Sequence, residues 1–189
     1  MEEIKRINRT LKHKGAIVEF YSDTMQMPDG HCVEWDLVHH KGAAAVVPVL
    51  PNGKILMVRQ YRNALERYTL EIPAGSVDAV DEPKELCAAR ELEEETGYRC
   101  DHLKHLLDIN TTIAFCDEFI GVYLAEDLVK AHQHLDEYEF LNVEEWDLED
   151  LLEKIRNFEI TDSKTMAAIM AYKLYLEHKN VVCENETSK

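Results

Sequence analysis

The sequence predicts an α/β layered domain, on three observations. Strand-like stretches come as hairpins broken by turn clusters, without a regular strand-helix alternation. One helix, between Pro83 and Gly97, interrupts them, and two amphipathic helices close the chain. The length of 189 residues, at 46% hydrophobic and 31% charged, suits one sizeable core with a small appendage.

In chain order, residues 17–22 and 32–39 are rich in β-branched and aromatic residues. They flank the turn cluster Met27-Pro28-Asp29-Gly30, which predicts an N-terminal antiparallel hairpin. Residues 43–50 form a nearly continuous apolar run, the pattern of a strand near the centre of a sheet. Pro51-Asn52-Gly53 turns the chain into a second strand over residues 55–61. A short strand at 69–72 ends where Pro73-Ala74-Gly75 turns the chain toward the helix. Residues 103–109, 119–125 and 139–146 supply three further strands. Asp147 and Asp162 are good helix caps, and amphipathic helices are expected over 147–157 and 162–178. Residues 184–189 read as a frayed polar tail.

Between Pro83 and Gly97 the punctuation predicts one helix, since proline suits a first helical position and glycine the residue just past the end. At about 100° per residue, Glu91, Glu94 and Glu95 share an arc of roughly 100°, with Leu86, Ala89 and Leu92 on the other side. Carboxylates three and four residues apart repel by ~0.3 kcal/mol per pair, and the helix C-terminus disfavours anions as well. Local helix stability therefore does not explain the placement. The helix alone admits two readings: a solvated acidic face with Arg90 paired to Glu94, or a site where clustered oxygens take a hard divalent ion such as Mg2+.

The wider pattern is more specific. Glu82, then Arg90-Glu91-Leu92, Glu94-Glu95 and Gly97-Tyr98 together resemble the signature of the Nudix hydrolases. The spacing departs at one point: six residues separate Gly75 from Glu82, one more than is usual in the family, which puts an extra residue in the loop 76–81. The resemblance implies an α/β/α sandwich around a mixed sheet over residues 41–180. A small N-terminal antiparallel β-subdomain over 1–40 precedes it, and a flexible tail over 181–189 follows. The subdomain looks like that of the ADP-ribose and nucleotide-sugar branch, where it commonly joins two subunits, so a homodimer is expected.

By the same resemblance Glu91 and Glu95 ligate metal together with the Ala74 carbonyl, and Glu94 is a third ligand or an aid to proton handling. The expected cofactor is Mg2+, with Mn2+ able to substitute; such ions neutralise a diphosphate and activate water. Arg90 is expected to orient the carboxylates through a charge-assisted hydrogen bond to Glu94 or to Glu71. In this branch a general base comes from a distant loop, and Leu135-Asp136-Glu137-Tyr138-Glu139 stands before a strand in the matching place. Glu139 is the first choice and Glu137 the second. Arg59-Gln60-Tyr61-Arg62 ends a strand as the family's substrate-binding segment does. Arg62, which shares a face with Gln60, is the expected phosphate clamp, with Arg59 of the same segment as a further substrate-binding candidate and Glu71 as a polar residue near the site. Thr161-Asp162-Ser163-Lys164-Thr165 reads as a helix cap.

The implied reaction is hydrolysis of a nucleoside diphosphate sugar, with ADP-ribose, yielding AMP and ribose 5-phosphate, as the leading substrate. The branch's marker proline is replaced here by Ile113, within Thr112-Ile113-Ala114-Phe115, which keeps a UDP-glucose or GDP-mannose type of substrate as the alternative. A non-catalytic nucleotide-sensing Nudix module is the alternative of a different class. Such modules usually lose box glutamates, and this chain keeps Glu91, Glu94 and Glu95.

The formal net charge of −16 argues against a nucleic-acid groove or an anionic membrane surface as partner, since both need clustered cations. The 5 cysteines are odd in number and lack close pairing, the pattern of free thiols in a reducing compartment. Residues 1–14 are polar and basic with no apolar run, and no stretch approaches membrane-span length, so a cytoplasmic protein is expected.

Overall fold

The computed structural model describes residues 3–79, 81–135 and 140–187, with side chains through residue 180. Glu137 and Glu139, the candidate general bases, lie outside the described residues. The chain forms two compact units.

The first unit comprises the chain up to Gly42 together with Asn110–Phe119. Its sheet has three antiparallel strands, β1 (Lys5–Lys14), β2 (Glu19–Gln26) and β3 (Cys32–His39), in that order. The expected hairpin is β2 with β3, in register from Glu19↔His39 to Gln26↔Cys32. β1 is an addition that the sequence does not announce. All 10 of its residues are exposed, and its register shifts twice, at Arg6/Asn8 and Leu11/His13. A strand that buries neither face carries no polar-apolar alternation, and a Lys- and Arg-rich edge protects a sheet from unwanted pairing. Arg9 ties β1 to β2 through both oxygens of Asp23, at 2.6 and 2.7 Å. The returning segment pairs with β3: the Val38 N–H donates to Phe115 O at 2.7 Å, and the Asp117 N–H donates to Val38 O at 3.2 Å. His39 Nδ1 and the His40 N–H both meet the Asp117 carboxylate, at 2.8 and 3.0 Å.

The second unit takes the remaining residues. In chain order its elements are β4 (Ala43–Pro48), β5 (Ile55–Arg62), β6 (Arg67–Glu71), β7 (Ala74–Ser76), α1 (Lys84–Thr96) and β8 (Tyr98–Arg99). There follow β9 (Leu103–Asn110), β10 (Phe119–Ala125), β11 (Val129–Lys130), β12 (Leu141–Trp146), α2 (Leu148–Arg156) and α3 (Ser163–Thr187). Four strands pair in the order β7-β4-β10-β9 and three in the order β12-β5-β6, while β8 and β11 make a two-stranded ribbon. β4 and β10 are parallel, whereas β4–β7, β5–β6, β5–β12 and β8–β11 are antiparallel. The sheet is therefore mixed.

Every residue of β4 is buried, as its unbroken apolar run requires. Ala43, Ala45 and Val47 pack in one cluster with Leu151 of α2 and Ile169 of α3. Ala44 and Val46 pack in two others, with Ala88 and Leu92 of α1. Helices thus cover both faces of β4, which is the α/β/α layering that the resemblance implies. Leu92 is fully buried, so truncating it to alanine would cost about 2–5 kcal/mol. Several boundaries differ from expectation: β2 runs from Glu19 on to Gln26, β6 starts at Arg67, and α3 continues through Thr187 into the stretch read as a tail. Among the described residues no helix is long and apolar enough to cross a membrane.

Candidate active site

The ends of α1 follow its punctuation. Pro83 sits at the N-cap with extended backbone, one place earlier than expected, and Gly97 is left-handed at φ 70°, its N–H donating to Glu93 O at 2.9 Å. The buried side of α1 is Cys87, Ala88, Glu91, Leu92, Glu95 and Thr96. That corrects the expected arc, for Leu86 is 61% exposed and two of the three glutamates lie inward. The cause is a set of partners that no helix shows by itself. Glu95, 1% exposed, accepts the Ala74 N–H at 3.0 Å. Glu91, 8% exposed, occupies the space left by Gly75, where a Cβ would overlap its carboxylate. Burying two anions without such contacts would be strongly unfavourable.

Arg90 binds the outer side of this pair. Its Nη1 donates to Glu91 Oε1 at 2.7 Å and to Glu94 Oε2 at 2.8 Å, and its Nη2 donates to Ser76 O at 3.0 Å. Its Nε stands 3.5 Å from the carboxylates of both Asp78 and Glu82. Burial lowers the guanidinium pKa, but Glu91 and Glu94 more than reverse that and raise it above the ordinary value. Of the two partners expected for Arg90, Glu94 is met and Glu71 is not. The lengthened loop closes through the Asp78 N–H, which donates to Glu82 at 2.7 Å.

On β5 the two candidate substrate arginines have different partners. Arg59 donates from Nε and Nη2 to the two oxygens of Glu144 on β12. Arg62 donates from Nε and Nη2 to the two oxygens of Glu71, at 2.8 and 2.7 Å. Glu71, 2% exposed, also accepts the Thr69 hydroxyl at 2.6 Å and the Lys164 ammonium. Burial pushes its carboxyl pKa up, but Arg62, Lys164 and Thr69 overcome that and hold it at about 2. The bond to Glu71 raises the Arg62 pKa in turn, with smaller help from Asp162 and Glu95.

Lys164 and Thr165 are the site residues that the cap reading misses. Asp162 does cap α3, accepting the Thr165 N–H at 3.0 Å. Yet Lys164 is 8% exposed, with Nζ bonded to Glu71 and, at 2.9 Å, to Asp162. Thr165 Oγ1 accepts the Ile72 N–H at 3.0 Å, joining α3 to the chain between β6 and β7. A lysine in the first turn of a helix carries no sequence sign of burial. The one available signal is the buried glutamate, which needs a cation.

Residues 131–135 run beside the end of α1. The Ala131 N–H donates to Gly97 O at 2.8 Å, Gln133 Nε2 to Glu95 O at 2.6 Å, and the His134 N–H to Glu94 O at 3.0 Å. In the first unit, Ile113 is 85% exposed and Phe115 52% exposed. Among the described residues no three His, Cys, Asp or Glu side chains are grouped as a metal cage. The donors present still fit a hard divalent cation. Mg2+ takes one or two carboxylates and completes its shell with water and phosphate, and Glu91 and Glu95 are two buried carboxylates one helical turn apart beside the β7 backbone.

A model of the NUDIX domain matches residues 39–169. An ADP-ribose pyrophosphatase of Bacillus subtilis (strain 168) is 40% identical, covering 91% of this chain and 94% of that protein. A methanol dehydrogenase activator of Bacillus methanolicus is 38% identical, covering 94% of this chain and 97% of its own. The crystal structure of an ADP compounds hydrolase shares the fold, with a TM-score of 0.83 at 18% identity over 95% of this chain and 97% of the other. The box residues, the layered fold and these likenesses agree: the chain belongs to the Nudix family, and it is a Nudix hydrolase.

Proposed function

We propose that this chain hydrolyses the diphosphate of a nucleoside diphosphate sugar. ADP-ribose, giving AMP and ribose 5-phosphate, is the leading substrate, and Mg2+ is the cofactor, with Mn2+ able to substitute. The observation that carries the reading is the buried pair Glu91 and Glu95, set against Gly75 and Ala74. Glu91, Glu95 and the Ala74 carbonyl would hold the ion, with Glu94 as a third carboxylate. A cation bound there supplies charge neutralisation for the diphosphate and activation of water. Arg90 keeps Glu91 and Glu94 in place through its two short contacts. Arg62 presents donors to a phosphate, whereas Arg59, three residues earlier on β5, leaves the opposite face of the sheet, where it pairs with Glu144. Glu139, with Glu137 second, takes the proton of the attacking water. The B. subtilis relative's name supports ADP-ribose, and Ile113 in place of the marker proline keeps a UDP-glucose or GDP-mannose type of substrate as the second choice.

The test is a substrate panel with Mg2+: ADP-ribose, UDP-glucose, GDP-mannose, a dinucleotide and a triphosphate, with products separated by chromatography. ADP-ribose should be cleaved fastest, and Glu91→Gln or Glu95→Gln should each lower turnover by about a hundredfold or more. A triphosphate or dinucleotide as best substrate would overturn the branch assignment. Binding of ADP-ribose with no product would instead indicate a sensing module.

We also infer a cytoplasmic homodimer joined through the first unit. Its strands leave Ile7 54%, Leu11 47% and Trp35 49% exposed, apolar side chains that a second copy would cover. Light scattering that returns the monomer mass of 21.9 kDa at micromolar concentration would remove the dimer.

A further inference from the structure

The Arg62 clamp has a part that neither the family match nor the relatives assign. Glu71 binds only one edge of the guanidinium, through Nε and Nη2. A guanidinium carries five N–H donors in a fixed fork, so that bond leaves Nη1 and the outer Nη2 hydrogen facing away from Glu71. Among the described residues nothing hydrogen-bonds Nη1, and the Arg62 side chain is 41% exposed. This outer edge has the geometry that a phosphate accepts in bidentate fashion.

An anion on the outer edge pulls Arg62 away from Glu71. Were Arg62 the sole cation on Glu71, that pull would leave a carboxylate only 2% exposed without its charge partner, which is strongly unfavourable. Lys164 removes the conflict. Its ammonium bonds Glu71 Oε2 and is fixed from behind by Asp162 Oδ2 at 2.9 Å, and the residue as a whole is 8% exposed. Asp162 Oδ2 is fixed in turn by the Thr165 hydroxyl at 2.6 Å and the Thr165 N–H at 3.0 Å. Two cations and two anions balance across the four side chains. Glu71 therefore stays paired while Arg62 is shared.

We propose that Lys164 is a positioning residue for the diphosphate: it keeps Glu71 paired while the outer edge of Arg62, which Glu71 leaves open, binds a phosphate. The inference rests on the proposed diphosphate hydrolysis, and it adds a residue that acts through Arg62 without touching the substrate.

The test is binding of inorganic diphosphate by titration calorimetry in EDTA, where no turnover occurs. It uses the full chain and the variants Lys164→Met, Lys164→Arg, Arg62→Ala and the double variant Arg62→Ala/Lys164→Met. Loss of Lys164 should weaken binding about tenfold, and Lys164→Arg should restore most of it. In the Arg62→Ala background, Lys164→Met should cost nothing further, because its effect passes through the missing arginine. Ile169→Val, which loosens the packing of α3 on β4 but leaves Lys164, Glu71 and Asp162 in place, should bind as the parent does. Should Lys164→Met fail to fold, Lys164→Gln keeps a polar tip and serves in its place.

The proposal is overturned if the parent chain binds no diphosphate or if Lys164→Met binds as tightly as the parent. It is overturned too if the loss is the same with and without Arg62, or if Ile169→Val reproduces it. Failure of the substrate reading would show separately, as a parent chain that binds diphosphate in the titration yet releases no AMP from ADP-ribose.

Discussion

Replacing Glu71 with glutamine tests the buried charge network most directly. The substitution keeps the shape and removes one charge from a position that is 2% exposed. Both oxygens of Glu71 are occupied, Oε1 by Arg62 Nε and Thr69, Oε2 by Arg62 Nη2 and Lys164. An amide can replace neither cation's partner, and breaking a buried pair from one side costs about 3–5 kcal/mol. The carboxyl pKa provides a second route to the magnitude. Its fall from 4.5 to about 2 is equivalent to about 3 kcal/mol of stability, at about 1.4 kcal/mol per pH unit. At roughly 2–4 °C per kcal/mol for a chain of this size, Glu71→Gln should melt about 6–12 °C below the parent at pH 7. The pH dependence has a definite sign. A carboxyl whose pKa is depressed on folding stabilises the fold fully above pH 4.5 and loses that contribution as pH falls toward 2. The gap between parent and variant should therefore be widest at neutral pH and shrink on acidification through that window. Thermal and urea unfolding followed by circular dichroism at pH 7, 4.5 and 3 reads both quantities. Equal melting at pH 7, or a gap that does not change with pH, would refute the reasoning.

Other consequences can be measured on the same protein. Gly75→Ala places a methyl group on the Glu91 carboxylate, so Mn2+ affinity, followed by paramagnetic resonance, should fall by at least about tenfold; unchanged binding would mean that Glu91 is not a ligand. Glu139→Gln should lower kcat by about a hundredfold or more with KM little changed, and Glu137→Gln should do less; a normal kcat in Glu139→Gln removes it from the mechanism. Burial, with the Glu91 charge beside it, pushes the Cys87 thiol pKa up to about 11, so at pH 8 iodoacetamide should label exposed Cys32 and spare Cys87; mass mapping that finds Cys87 alkylated in the native protein would contradict its packing.

Much of the fold was legible because its signals are local. The β4 run, the Pro51-Asn52-Gly53 turn and the Pro83 and Gly97 ends of α1 each depend on a few neighbouring residues. β1 was not legible, because a strand with 10 exposed residues carries no periodicity that burial would impose. Nor was the return of Asn110–Phe119 to β3, since pairing across so long a stretch leaves no mark in either segment.

The candidate site divides along the same line. The sequence alone determined which residue types are present and their spacing: a box of Glu91, Glu94 and Glu95, an arginine at Arg90, and a helix to carry them. It could not say which carboxylates turn inward, because rotation of α1 depends on contacts with β4 and β7 contributed by residues about twenty to fifty positions away. Only the tertiary structure decided that Glu91 and Glu95 are buried, and that of its two expected partners Arg90 takes Glu94. It alone, too, assigned Glu71 to Arg62 and Lys164. The physical reason is that a buried charge is stable only beside its partner. Partners are chosen by distance in space, which the order of residues along a chain does not state.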